Sequence, residues 1–409
     1  MAGSGGKTIQ YSASDRGRPA SSRQGSSRSG NAPAERRDQT AGAGIDIQLI
    51  AIVAILLFLG LVMLYSTSAY EATIDYGSGT YYLQRQAIFV VLGLVAMVIV
   101  TFLPIRFWRS MYGPLYIVSL VLVISLQWFG TTVNGATRWI YFGPVSLQPA
   151  EVSKLAVIVL TAAFLTNISR EELRTWKGIL LVMAPSALQA ALIYVISSNL
   201  SSALIVLMIA AAMIFVTTRD WKKFIILALI VAALVGVVIY VVSTYGTFDI
   251  YQLERIAAWL DPAAYSSDQS MQTLQGLYSI GSGGFFGKGL GKSIQKLGYV
   301  PEAQNDMIFA IICEELGLFG AIVIIVLFLY LGWRMAVIAA NARTLFESLL
   351  VVGVLSHIMI QAILNIAVVT NTLPNTGVTL PFFSYGGSAM LFLLIEVGIV
   401  LNVSRNSAS

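Results

Sequence analysis

The 409-residue chain has little charge, one thiol and one imidazole. Only 11% of its residues are charged, against roughly 25% in a soluble globular chain, so a water-soluble domain is excluded. The single cysteine, Cys313, excludes an intramolecular disulfide and a cysteine-built zinc site. The single histidine, His357, lies in the apolar run 347–370 and excludes a histidine-cluster metal site. No apolar stretch of the kind a secretory signal needs stands near the start. There is no Walker loop and no dinucleotide fingerprint, because the glycines of 281–291 lack the strand–helix context that would make one. ATP hydrolysis is therefore not expected, and no organic cofactor is implied.

What is abundant is apolar surface: 57% of residues are hydrophobic and the mean hydropathy is +0.78. A hydrocarbon core of ~30 Å takes ~20 helical residues. Apolar runs of about that length recur near 47–68, 86–104, 113–129, 152–168, 177–197, 199–217, 223–245, 306–332, 346–370 and 385–403. They predict an all-α integral membrane protein, a polytopic bundle of about ten transmembrane helices over residues 46–409. Residues 1–45, rich in Gly, Ser, Ala and Arg without an apolar period, predict a disordered basic cytoplasmic tail. Much of the net charge of +5 sits in that tail, so the charge is read as topology and not as nucleic-acid binding.

Arg106 and Arg109, then Arg170, Arg174 and Lys177, then Arg219, Lys222 and Lys223, then Arg334 and Arg343 fall between successive helices. With Arg405 and the tail, all lie on one side if both termini are cytoplasmic, as the positive-inside bias requires. The outer face then carries loops at 69–85, 130–151, 246–305 and 371–384. The extracellular loop 246–305, about 60 residues, is the longest, and loops of that length are usually functional.

Polar residues interrupt this pattern in three places. From Gly281 the chain reads GSGGFFGKGLGKSIQKLGYVPEAQNDMIFAIICEELG, a Gly- and Lys-rich loop running into an apolar helix with Pro301, Glu302 and Asp306 at the junction. Ionisable groups at a membrane boundary are costly and mark a functional site by default. Two readings of Asp306 stand on spacing alone: Asn305 or Asp306 caps the helix, or Asp306 is a partly desolvated general base. Glu314 falls about 12 Å deeper at ~1.5 Å per residue, so it and Glu315 are expected to make buried polar contacts.

The second interruption is ATRWIYFGPVSLQPAEVSK, holding Arg138, Gln148, Glu151 and Lys154. Glu151 and Lys154 share a helix face; they form a structural ion pair or part of a cationic phosphate site, and spacing does not choose. The third is PNTGVTLPFFSYGGS, Pro374 to Ser388, which suggests a site shared with Asp306. Lys288, Lys292 and Lys296, four residues apart, either steer an anion or solvate an amphipathic segment. Ser384 has no outward-facing histidine to serve as its base, so a helix-start hydroxyl is expected there.

These three motifs, in their order along the chain, resemble the SEDS family (shape, elongation, division and sporulation), over about residues 46–405. LERIAAWLDP and SIQKLGYVPEAQND are more similar to its FtsW and SpoVE branch than to RodA. The chain departs from the family pattern at Ala150, at Gln304 and Asn305, and at Ser198 to Ser201. The resemblance implies a peptidoglycan glycosyltransferase that polymerises lipid II, with Asp306 of the Pro301, Glu302, Asp306 pattern as catalytic base. It further implies substrate binding by Arg138, Gln148, Glu151, Lys154, Glu302, Lys288 and Ser384. A divalent cation (Mg or Mn) bridging the leaving pyrophosphate is the cofactor left open, with no ligands assigned. The implied partners are a class B penicillin-binding protein and divisome or elongasome proteins. Two rivals remain at this stage: a lipid II flippase, and a non-catalytic scaffold that recruits a transpeptidase.

Overall fold

The computed structural model describes residues 44–133, 136–143, 145–245, 256, 259–262 and 268–407. The expected tail, 1–45, and the first part of the expected long loop lie almost wholly outside these residues. Among the described residues the long helices are α1 (Ile47–Tyr76), α2 (Tyr81–Phe102), α3 (Ile105–Phe129), α4 (Pro149–Asn167), α6 (Trp176–Ser197), α7 (Leu200–Thr218) and α8 (Trp221–Tyr245). After the one-turn α5 (Arg170–Leu173) and these come α9 (Asp268–Gly283), α10 (Ile308–Ala340), α11 (Leu345–Val369) and α12 (Gly387–Ser407). Nine are long and apolar enough to cross a membrane, and α8, with 25 residues, stands where the seventh crossing is expected.

The apolar runs underestimate several helices, because hydropathy sees only the part that needs hydrocarbon. Polar residues continue α1 through Glu71 and Asp75 to Tyr76, where Gly77 at φ +69° ends it. At its other end Asp46 caps α1, accepting from the Leu49 amide at 2.8 Å. α3 begins at Ile105, well before the expected 113, since Arg106 and Arg109 lie on its first turns. The expected outer loop 130–151 holds a three-stranded antiparallel sheet, β1 (Gly130–Val133), β2 (Ala136–Phe142) and β3 (Val145–Leu147). Strands this short leave only a weak alternating pattern, so an all-α expectation misses them.

α4 is the most enclosed crossing and packs against α3, α7 and α11. α12 lies along α2, where a Cβ on Gly398 would come within 2.8 Å of the Met97 carbonyl; small residues let the two backbones approach. At the end of α2, Asn402 of α12 donates to the carbonyls of Thr101 (2.9 Å) and Leu103 (2.5 Å), groups a helix end leaves unpaired.

The expected 246–305 loop is replaced, from residue 268 on, by a helix and a returning strand of chain. α9 advances along α10 in the same direction: Gln272 meets Asp306, Gly276 meets Met307, and Gly283 lies against the Cys313 carbonyl. The glycine run then splices into a break in α10. Gly317 takes φ +69°, and the backbone ladder jumps across: Lys288 and Gly289 donate to the Glu314 and Glu315 carbonyls, both at 2.9 Å. Leu318 and Phe319 donate in return to Gly284 and Phe285, both at 3.0 Å. A Cβ on Gly317 would lie 2.3 Å from the Gly287 nitrogen, so only glycine permits this approach. Gly317 is ten residues after Met307, so the hairpin reaches ~15 Å along α10 before turning back.

Candidate functional site

Four elements converge on Asp306, which is 7% exposed. The N-cap of α10 is Met307, without a side-chain capping bond, so Asp306 is not the residue that starts this helix. Asn305 is turned to Glu302, its amide donating to that carboxylate, while Glu302 holds a left-handed φ of +56°. From α9, Gln272 donates to Asp306 Oδ1 at 3.3 Å. Asn375, in the Pro374–Ser388 segment, donates to Gln272 Oε1 at 2.8 Å and so orients that amide. Gly377, at φ +67°, brings bare backbone beside the carboxylate, and a Cβ there would sit 3.7 Å from Asp306 Oδ2.

The two polar interruptions do meet, and the bonds between them are specific. Asn365 of α11 donates to the carbonyls of Asp306 and Val378, both at 2.7 Å, pinning one to the other. The Tyr385 amide donates to the Gln304 carbonyl at 2.9 Å. The Ser384 hydroxyl donates to the Asn305 carbonyl at 2.6 Å and accepts from the Leu380 amide at 2.7 Å. Ser384, expected to bind substrate, thus forms a buried staple between the two segments. On α2, Gln86 accepts from the Gly386 amide at 3.1 Å, and Arg85 hydrogen-bonds Tyr385. Burial pushes the Tyr385 phenol above its ordinary range, and Arg85 opposes that rise.

The second constellation lies behind this segment. Lys154, 2% exposed, pairs with Glu151 at 2.8 Å and donates to Gln361 Oε1 at 3.0 Å. Gln361 in turn donates to the carbonyl and hydroxyl of Thr379, both at 3.1 Å. His357 bridges Gln361 (2.9 Å) and Glu396 (2.7 Å), a hydrogen-bonded residue inside the bundle as expected. A buried ammonium needs such partners, since losing water costs several kcal/mol per ion. In this arrangement Lys154 and Glu151 are engaged with each other, and through Gln361 the pair supports the loop that covers Asp306. Gln148 begins α4, and its backbone amide donates to Ser388 at 3.2 Å. Arg138 is half-buried on β2.

Lys288 belongs to a different cluster. Its ammonium binds Glu314 at 2.6 Å, and Lys296 binds Glu315 at 2.7 Å and Ser66 of α1 at 3.1 Å. The glutamates contact the returning hairpin and not merely a neighbouring helix, and Lys288 pairs with Glu314 there. Between α1, α2 and this hairpin opens a cavity of about 590 Å³, lined chiefly by apolar side chains such as Phe58, Leu61 and Leu290, with Ser66 and Lys296 at its polar end.

Sequence reasoning missed Asn365, Asn375 and Gln361. An asparagine and a glutamine inside the apolar run 346–370 were the available signal, because polar groups there need partners. Among the described residues no three His, Cys, Asp or Glu side chains gather to hold a metal ion.

Chemically, the arrangement offers a buried carboxylate, Asp306, held by the Gln272 amide, with Glu71 beside Gln304 as a second carboxylate whose pKa burial raises. A family model described as cell cycle protein (FtsW, RodA, SpoVE) matches residues 47–409. Stage V sporulation protein E of Bacillus subtilis is 36% identical over 364 residues, covering 88% of this chain and 97% of its own length. Probable peptidoglycan glycosyltransferase FtsW of Thioalkalivibrio sulfidiphilus is 36% identical over 368 residues, covering 89% and 90%. Among solved structures, a chain from work on polymerization and crosslinking by a peptidoglycan synthase complex aligns with TM-score 0.72 at 27% identity, covering 89% of this chain and 98% of that one. Rod shape determining protein RodA of Thermus thermophilus aligns with TM-score 0.63 at 26% identity, covering 89% and 97%.

Proposed function

The chain belongs to the FtsW, RodA and SpoVE family of cell cycle proteins and is a multi-pass membrane peptidoglycan glycosyltransferase; we propose that it polymerises lipid II with Asp306 as general base. The observation that carries the proposal is the burial of Asp306 among Gln272, Gly377 and the pinned Pro374–Ser388 segment. Desolvation raises the basicity of a carboxylate, and the Gln272 amide on Oδ1 orients it.

In the reaction, Asp306 takes the proton of the acceptor's GlcNAc 4-hydroxyl. That oxygen bonds to the anomeric carbon of the donor's MurNAc with inversion, and the bond from that carbon to undecaprenyl pyrophosphate breaks. General-base help is typically worth ~10²–10⁴-fold. Arg138 is the cation assigned to the leaving pyrophosphate, and Glu302 and Gln148 are assigned to substrate binding. The polyprenyl tail stays in hydrocarbon, and the apolar cavity beside α1 and α2 suits it. The active site faces outward, both termini are cytoplasmic, and the partner is a class B penicillin-binding protein working with divisome or elongasome proteins.

The test is purified protein with lipid II, run in detergent and in sealed proteoliposomes, with and without the cognate transpeptidase. Glycan strands in detergent support transfer. Lipid II crossing the bilayer with no strands formed under any condition would replace the enzyme with a transporter.

A further inference from the structure

At the end of the bundle away from Asp306, the α2–α3 junction, the α10–α11 junction and the last turn of α12 enclose a second cavity, about 670 Å³ in volume. Four arginines line it, Arg106 and Arg109 from α3, Arg343 before α11 and Arg405 from α12, against a single carboxylate, Glu347. That carboxylate is already engaged, accepting from the Thr344 amide at 2.9 Å in a capping box. Pro104 and Ile105 also line the cavity, so it holds the start of α3, whose N-cap makes no side-chain capping bond. The positive dipole of a long helix start favours an anion. Four guanidiniums beside them fit phosphate oxygens.

The rest of the lining identifies what carries the phosphate. Arg405 lies over the Phe102 ring at 4.9 Å, and Phe102 is 58% exposed. One turn back, Val98 and Ile99 of α2 are also more than half exposed, so the cationic cavity continues into the bundle's apolar outer surface. A soluble phosphate would use only the arginines, whereas a membrane lipid would use both surfaces. Basic pockets between helix ends on the cytoplasmic side recognise anionic headgroups in this way.

We propose that this cavity binds the phosphate headgroup of an anionic phospholipid from the leaflet opposite the catalytic site, with an acyl chain along α2. Binding there would tie together the end of α2, the start of α11 and the end of α12, three helices whose other ends support the Asp306 site through Gln86, Asn365 and the segment that leads into α12.

The experiment is native mass spectrometry of the full-length protein with phosphatidylglycerol or phosphatidylcholine of identical chains, beside Arg106→Gln/Arg405→Gln. The wild type is expected to retain phosphatidylglycerol preferentially, and the variant to lose affinity about fivefold per arginine removed. Its thermal midpoint in phosphatidylcholine should match that of the wild type, and Arg106→Lys/Arg405→Lys should keep most of the preference. If the glutamine variant does not fold, the wild-type lipid preference and the lysine variant decide. Equal retention of both lipids by the wild type, or undiminished phosphatidylglycerol binding by the folded glutamine variant, overturns the proposal. Stabilisation by millimolar inorganic phosphate equal to that by phosphatidylglycerol overturns the lipid assignment.

Discussion

Asn365→Asp is the change that separates a positioned carboxylate from a merely buried one. Asn365 is fully buried, and its one amide group donates to two carbonyls, those of Asp306 and Val378, at 2.7 Å each. Aspartate has the same shape but presents an acceptor to both, so two bonds are lost and two carbonyls are left without a donor. An unsatisfied buried carbonyl costs about 1–3 kcal/mol, which puts the total near ~2–6 kcal/mol. The carboxylate would also face two oxygens, so Asn365→Asp should be worse than Asn365→Ala. Because the lost bonds fix the Asp306 backbone, the reacting geometry should shift as well, and a displacement of ~1 Å can cost ~10²-fold in rate. The assay is lipid II polymerisation beside thermal unfolding in the same detergent. The expected result is a lowered midpoint and a fall in kcat much larger than any change in KM. A wild-type rate and midpoint for Asn365→Asp would refute the reasoning.

Gly317→Ala places a methyl 2.3 Å from the Gly287 nitrogen, so the splice between α10 and the hairpin must open; increased proteolysis within 284–297 and a lower midpoint are expected. Glu151→Ala leaves the Lys154 ammonium buried without its carboxylate and should cost about 3–5 kcal/mol. The double change Glu151→Leu with Lys154→Met should recover most of that stability and much of the polymerisation rate; a stable but inactive double variant would return Lys154 to substrate contact. Gly377→Ala adds about 1–2 kcal/mol of left-handed backbone strain and sets a methyl beside Asp306 Oδ2, so polymerisation should fall more than thermal stability does.

The crossings were legible because a hydrocarbon solvent demands long apolar runs, and all ten positions carry a helix. Their polar extensions were not, since Glu71 and Asp75 continue α1 without contributing to that signal. Asp306 was legible as a charge at a boundary, and His357 as a bonded residue in the bundle. The fate of Lys154, Lys288 and Ser384 was not, because each is decided by a partner far away in sequence: Gln361, Glu314 and Asn305. The hairpin of 268–306 was hidden for a related reason. Its glycines read as a solvent loop until the break at Gly317 supplies backbone for them to bind.

The central claim is that the Asp306 carboxylate removes the acceptor's proton. Strand formation from lipid II by purified Asp306→Asn, beside wild type and with its cognate transpeptidase present, tests it most directly. Asparagine keeps the shape and accepts from Gln272 but cannot take a proton, so a folded variant with a wild-type thermal midpoint should form no strands at a rate within ~10²-fold of wild type. Strands made at the wild-type rate by that folded variant would contradict the account and move the base elsewhere.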